Sequence, residues 1–453
     1  MKAPEAPPPS RLFYQNRQRR PLIDKAQGIY IWDQHGKKYI DGSSGAMVVN
    51  IGHGNSAVLS AMKKQMNDAT FAYRLHFENE AAERLADKLS ELTPKGFEKS
   101  FFVSGGSEAV ESCIKLARQY ALAVGESSRW KIISRYPSYH GSTLGALALT
   151  GYDIFTKMFE PMIQQMPKIP APTTYLDDDE LSETERGLRY ANMLEEEILS
   201  QGVESVLAFI MEPVGGASTG ALVAPDSYYS RIREICDQNG VLLIYDEVMS
   251  GGGRTGRYFG GDHWPVAADI IALSKGMASG YCPLGTMLAR TSIIDPVLDS
   301  GGFAHGYTYA GNPLACAAGL AVLNEIDRLG LLDNSRRMGE KLKSSLLALK
   351  DRYPCIGHVR GKGLLLAVEL VADQQTLEPL PAELNAYNHI VNLAYERGLI
   401  IYSRRTRGGI LGDHFMVCPP MIISGEQIDD IINRLDDALA AMCKKLDLKT
   451  NNV

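Results

Sequence analysis

Val241-Leu242-Leu243-Ile244-Tyr245-Asp246-Glu247-Val248 and Ile270-Ile271-Ala272-Leu273-Ser274-Lys275-Gly276 decide the fold. Each is a short, unbroken apolar run that stops at a charged residue, the pattern of a strand buried on both faces. Similar runs occur at 100–103, 130–134, 206–211 and 284–289, separated by stretches of helical periodicity at 107–124, 186–200 and 226–239. Strands that alternate with helices predict an α/β fold with a mostly parallel sheet covered by helices.

Working outward, 453 residues are too many for one small core and suit two domains. From Gly28 the sequence predicts two short strands around a turn at Asp33–Gly36, then helices over 56–69 and 78–92. Beyond about 325, helices at 315–350 and 383–397 and strand-like runs at 364–371 and 399–402 predict a smaller α/β domain closed by a terminal helix. The expected division is 1–70 as an N-terminal arm and part of the small domain, 71–324 as the large domain, and 325–453 as the C-terminal small domain. Residues 1–20, Pro-rich and then basic at Arg17, Arg19 and Arg20, read as an arm, either solvated or wrapped on a partner subunit. The acidic stretch 176–187 reads as a solvated loop leading into a helix.

The composition, 45% hydrophobic and 22% charged with a net charge of −6, gives no electrostatic case for nucleic acid or an acidic membrane as partner. No run reaches the length of a membrane span, and Met1–Ser10 lacks the apolar centre of a signal peptide. Seven cysteines, an odd number with no CxxC pair, point to reduced thiols, a cytoplasmic protein and no metal site.

Ligands of open α/β sheets bind beyond the carboxyl ends of the strands. Five chemically capable segments fall at such ends. Ser104-Gly105-Gly106-Ser107 turns from a strand into a helix whose first N–H groups can hold a phosphate. Tyr139, in Ser138-Tyr139-His140-Gly141, can stack on a planar heterocycle. Glu212 opens Glu212-Pro213-Val214 and can accept from a polar neighbour. Asp246 and Lys275 complete the set. A lysine amine that can hold an aldehyde as an imine, and an acid that keeps a pyridine nitrogen protonated, are what a pyridoxal 5'-phosphate (PLP) site needs. Taken singly, each segment also reads as an ordinary turn or core packing.

The set Ser104–Glu111, Tyr139-His140-Gly141, Glu212-Pro213-Val214, Asp246–Gly256, Leu273–Gly276 and Thr308-Tyr309-Ala310-Gly311-Asn312-Pro313 closely resembles the class III (omega-) aminotransferases, from about residue 20 to 445. The resemblance implies PLP fold type I, with a seven-stranded type of sheet in the large domain. It implies that Lys275 holds PLP and moves the proton, that Asp246 pairs with the ring nitrogen, and that Val248 and Tyr139 pack on opposite ring faces beside His140. Gly106 and Ser107 would hold the phosphate, Glu212 would support the ring or its oxygen, and Thr308 would reach the phosphate of a neighbouring subunit. A homodimer with shared sites follows, with a tetramer left open. The implied reaction moves an amino group from an amine or omega-amino acid to a keto acid such as pyruvate. Racemases, aminomutases and decarboxylases share the scaffold and the same Lys–Asp pair, and a non-catalytic PLP-binding protein is the reading from another class.

The sequence departs from the family where an arginine usually binds the acceptor carboxylate. Tyr402 occupies that place, and Arg404, Arg405 and Arg407 follow in what reads as a basic loop; Arg405 and Arg407 are the expected carboxylate partners. Gly42–Met47 lies where many amine transaminases carry a large aromatic, so Ala46 and Met47 either leave more room or serve core packing. Tyr73, Phe77 and Tyr136 are candidates for the pocket wall. Arg254, in Gly253-Arg254-Thr255-Gly256, reads as structural.

Overall fold

The computed structural model describes residues 10–177 and 179–450. Its central sheet has seven strands in the order Lys99–Val103, Gly285–Ala289, Ile270–Leu273, Leu242–Asp246, Val206–Met211, Lys131–Tyr136 and Lys168–Pro170. Only Gly285–Ala289 runs antiparallel to its neighbours. Strand side chains alternate between faces, and each central strand divides its residues between two cores. Ala208, Ile210, Ile244, Ile270 and Ala272 join Val110, Cys113 and Ala117 of the Gly106–Ala123 helix. Phe209, Met211, Leu243, Tyr245, Ile271 and Leu273 join the core packed by the Glu183–Gln201 and Asp226–Asn239 helices. Burial on both faces is why these strands read as continuous apolar runs.

Two four-stranded sheets flank this layer. Ile23–Gln27, Tyr30–Asp33 and Lys38–Asp41 form an antiparallel ribbon, and Leu399–Ile400 pairs parallel to its last strand. Ile356–Lys362, Leu365–Leu370, Leu411–Val417 and Tyr402–Arg407 form the other sheet, all antiparallel. The helical region at 315–350 is two helices, Pro313–Arg328 and Leu331–Arg352, separated at Gly330, whose φ of 62° no helix interior accommodates. The Glu183–Gln201 helix starts at a capping box in which Ser182 and Glu185 bond reciprocally. Part of the acidic segment before it is ion-paired: Asp177 and Asp179 bond Arg189, and Asp179 also bonds Arg186. The expectations for Met1–Pro9, and for Asp178 within that segment, lie outside the described residues.

One expectation is corrected here. Ser403–Arg407 is not a basic loop but part of the Tyr402–Arg407 strand, paired with Leu411–Val417. Three arginines hid the strand from a hydrophobicity pattern. Asp413 lies opposite Arg405 and neutralises it at 2.7 Å.

The fully buried Arg254 joins the sheets. Its guanidinium donates to the carbonyls of Cys418 and Pro419, to Ser44 Oγ and to Asn50 Oδ1. Arg254→Met removes donors from four buried acceptors at once, and each orphaned group costs about 1–3 kcal/mol. The variant is expected to lose on the order of 3 kcal/mol or more in urea unfolding. An unchanged midpoint would mean that these contacts contribute nothing to the association of the sheets.

Candidate active site

Parallel strands deliver their last residues to one edge of a sheet. A cavity of about 640 Å³ lies there, lined by Gly106, Ser107, Tyr139, His140, Glu212, Asp246, Val248 and Lys275, among others. Residues that came from five separate strand ends in the sequence thus share one space.

Lys275 follows the Ile270–Leu273 strand in a short 3-10 turn, with a φ of 45° that is uncommon for a residue with a side chain. Gly276 makes the turn possible, since a Cβ there would lie 2.0 Å from Asn50 Nδ2. Burial pushes the Lys275 amine below the ordinary lysine value, while Asp246 and Glu212 pull the other way. A less basic amine is neutral more often, and only the neutral form can attack a carbonyl or take a proton.

Asp246 ends the neighbouring strand and is 4% exposed. Its Oδ1 accepts the Val248 N–H at 3.1 Å, and its Oδ2 lies 2.8 Å from His140 Nδ1. Both contacts fix the plane of the carboxylate. Val248 packs against Gly106, where a Cβ would come within 2.8 Å of its side chain. Gly106 therefore has to be glycine for the strand end and the helix start to meet. In that helix the first backbone bond runs from the Ala109 N–H to the Gly105 carbonyl, so the Gly106 and Ser107 N–H groups precede the ladder at the positive end of the helix dipole. Ser107 Oγ accepts the Ser142 N–H at 3.0 Å, which ties the Tyr139 loop to the same corner.

Three buried polar atoms in this cavity lack partners among the described residues: His140 Nε2, Glu212 Oε2 and Ser218 Oγ. Burial raises the Glu212 carboxyl above its ordinary value, while His140 and Arg135 pull it down; its Oε1 accepts the Gly216 N–H at 2.9 Å. Buried polar atoms are rarely left unpaired. A helix start suited to an anion, an acid, an amine and orphaned polar atoms around one space fit a phosphorylated heterocyclic aldehyde. Gly106 and Ser107 suit its phosphate, Asp246 its ring nitrogen, and Lys275 its aldehyde.

The outer half of the cavity departs from the expectations. Arg404 lines it, with its guanidinium 4.7 Å from the Tyr402 ring and no carboxylate in ion-pair reach among the described residues. Arg405 points to the other side of the strand, held by Asp413, by the Ile410 carbonyl and by the Ala382 carbonyl, and Arg407 does not line the cavity. Of the three arginines, only Arg404 lines this chain's cavity. Tyr73, Phe77 and Tyr136 are surface side chains outside this chain's cavity, and Thr308 is exposed and away from it. Ala46 and Met47 do line it. Sequence reasoning missed Ser218, Met249, Tyr152 and Phe155. Ser218 and Met249 follow strand ends already singled out and were within reach of the same rule; Tyr152 and Phe155 carry no such signal.

The comparisons agree on a family. The pattern described as Aminotransferase class-III matches residues 13–439. The aminotransferase YodT of Bacillus subtilis is 39% identical over 430 residues, 94% of this chain and 96% of its own length. The putrescine–pyruvate aminotransferase of Pseudomonas aeruginosa is 33% identical over 431 residues, 93% of this chain and 91% of its own. Among solved structures, the omega transaminase from Pseudomonas jessenii in complex with PMP has a TM-score of 0.88 at 32% identity and covers 94% of each chain. With sequence and fold shared along almost its whole length, the chain belongs to the class III aminotransferases, PLP-dependent enzymes of fold type I.

Proposed function

We propose that this aminotransferase takes the amino group of an amine or omega-amino acid and passes it to a keto acid such as pyruvate, with Lys275 as the catalytic base and Asp246 as the partner of the cofactor ring. The observation that carries the reading is the convergence of the Lys275 amine and the Asp246 carboxylate on one cavity that begins at a helix N-terminus. PLP, when bound, supplies an aldehyde that receives the amino group and a ring that accepts the electron pair left at the donor carbon. The residues do the rest. Asp246, fixed by Val248 and His140, would sit against the ring nitrogen. Lys275 Nζ, made less basic by burial, would take the proton from the donor Cα and deliver it to the carbon that carried the cofactor's aldehyde. The putrescine–pyruvate relative supports an amine donor and a keto acid acceptor.

Lys275→Ala should lower transamination by at least about 10²- to 10⁴-fold. Borohydride reduction of the wild-type holoenzyme followed by peptide mapping should mark Lys275. Label on another lysine would remove the assignment.

Arg404 is the group we assign to the acceptor carboxylate. It has no acidic partner to give up, and a charged hydrogen bond contributes about 1.5–3 kcal/mol. Arg404→Ala should therefore raise the KM for pyruvate by roughly ten- to a hundredfold with little change in the amine half-reaction. Arg405→Ala, which breaks the Asp413 pair, should show its effect in stability instead. Equal KM values for wild type and Arg404→Ala would place the acceptor elsewhere.

We further propose a homodimer that shares its sites, working in the cytoplasm, with domains at 1–70, 71–324 and 325–453. Phe71, Leu75, Phe77 and Tyr309 are large apolar side chains left exposed on the single chain, as an oligomer surface would leave them. Six of the seven cysteines are buried thiols, which suits a reducing compartment. Among the described residues no helix is long and apolar enough to cross a membrane. If Thr308 completes the partner's phosphate site, mixed dimers of Lys275→Ala and Thr308→Ala chains regain one intact site of two. Sites built within single chains would regain none, and activity titrated against subunit ratio separates the two.

A further inference from the structure

The cavity is chemically divided, and its outer half says what kind of donor it takes. The inner end is polar and accounted for by the cofactor groups. The outer wall comes from the Asp153–Thr156 and Lys157–Met162 segments, which turn Ile154, Phe155, Met158 and Phe159 into the cavity. Three of these stay substantially open to solvent: Met158 is 76% exposed, Ile154 45% and Phe159 42%. None of the four is among the buried residues of either core. Apolar side chains that line a cavity beside a reactive amine suit an apolar ligand.

The facing wall makes room. Ser44 and Met47 adopt left-handed φ angles of 51° and 55° around Gly45, an uncommon conformation for residues with side chains. This turn presents Ala46 and Met47 to the cavity. Arg404 is laid against the Tyr402 ring. Gln15, from the N-terminal arm, also lines the cavity. The arm is pinned a few residues later, where Arg20 bonds Asn392 at 2.6 Å and lies over the Tyr395 ring at 4.2 Å.

We propose that the amino donor is a primary amine with an extended apolar chain, which runs outward from Lys275 along Ile154, Phe155, Met158 and Phe159 to end under the Gln15 amide. The inference rests on the aminotransferase reading and adds the class of donor. Ala46 and Met47 leave the width for the chain, and the arm closes its far end.

The test is a series of n-alkylamines from butylamine to decylamine, with pyruvate as acceptor and the full-length holoenzyme. Burial of each added methylene should raise kcat/KM by roughly three- to fourfold, levelling off once the chain passes Gln15. Met158→Asn and Phe159→Asn should flatten the dependence, read as a fall in the octylamine-to-butylamine ratio of kcat/KM. Gln15→Leu should lengthen the rise. The cofactor absorbance band of each variant verifies that it is assembled. Should a variant fail to assemble, inhibition of wild-type butylamine turnover by 1-butanol through 1-octanol reads the same wall, with Ki expected to fall as the chain grows. Turnover of butylamine with no dependence on chain length, or a slope that the wall variants leave intact, overturns the proposal. The absence of turnover with every amine would instead overturn the aminotransferase reading beneath it.

Discussion

The buried guanidinium of Arg254 holds together the parts on which the site depends. Burial lowers it to about 10, so it remains charged at neutral pH, yet no carboxylate pairs with it among the described residues. Two carbonyls, a hydroxyl and an amide oxygen stabilise the charge instead, drawn from the Cys418–Pro419 segment, Ser44 and Asn50. An isolated buried charge costs several kcal/mol unless such dipoles surround it. Each dipole belongs to a segment that forms part of the cavity or supports it. Asn50 also donates to the Gly252 carbonyl and packs against Gly276, beside Lys275. The turn that aims the lysine and the loop that carries Ala46 and Met47 are therefore positioned by one side chain.

A second constraint is the parity of strand ends. Asp246 and Glu247 are adjacent acids with opposite tasks, because successive side chains of an extended chain leave on opposite faces. Asp246 enters the cavity. Glu247 is fully buried on the far side, where its carboxylate accepts Ser250 Oγ and the N–H groups of Gly260 and Gly261. Burial nonetheless raises it to about 7. It staples the glycine-rich stretch after Val248 to the strand, and that stretch contains Arg254. The acid that serves chemistry and the acid that serves architecture thus occupy consecutive positions, and neither can perform the other's task.

These rules also explain what the sequence made legible. The Val206–Met211 and Ile270–Leu273 strands coincide with their apolar runs, and the Asp226–Asn239 helix with its periodicity, because burial on both faces or along one stripe leaves a strong pattern. The cofactor end of the cavity was legible for a topological reason: residues at the carboxyl ends of neighbouring parallel strands must lie close together. The walls of the outer half obey no such rule. Phe155 and Met158 sit in short turns whose position is set by packing alone, and Gln15 arrives from an arm about 260 residues before Lys275 in the chain. Single-sequence patterns carry no record of such encounters. The Leu399–Ile400 and Tyr402–Arg407 strands look in the sequence like one run and a loop, because the chain changes sheets between them and no periodicity marks that change.

The arginines of that strand show how much rests on a one-residue choice. As a loop, Ser403–Arg407 offers three nearly equivalent cations. As a strand it separates them, because neighbours face opposite ways and a shift of one residue exchanges the faces. Arg405 falls beside Asp413, gains an ion pair at 2.7 Å and two carbonyl contacts, and becomes part of the scaffold. Arg404 falls beside Tyr402 on the cavity side, held by the face of that ring and by the Ser403 carbonyl at 3.3 Å. A cation–π contact of this kind contributes about 0.5–1 kcal/mol where exposed and more where desolvated, less than a carboxylate partner gains from a guanidinium in the same place. With no carboxylate in ion-pair reach among the described residues, the side chain is held less firmly than that of Arg405. A part-buried ion pair such as that of Arg405 is not exchanged so cheaply. The strand supplies both kinds of arginine, fixed and exchangeable, in adjacent positions.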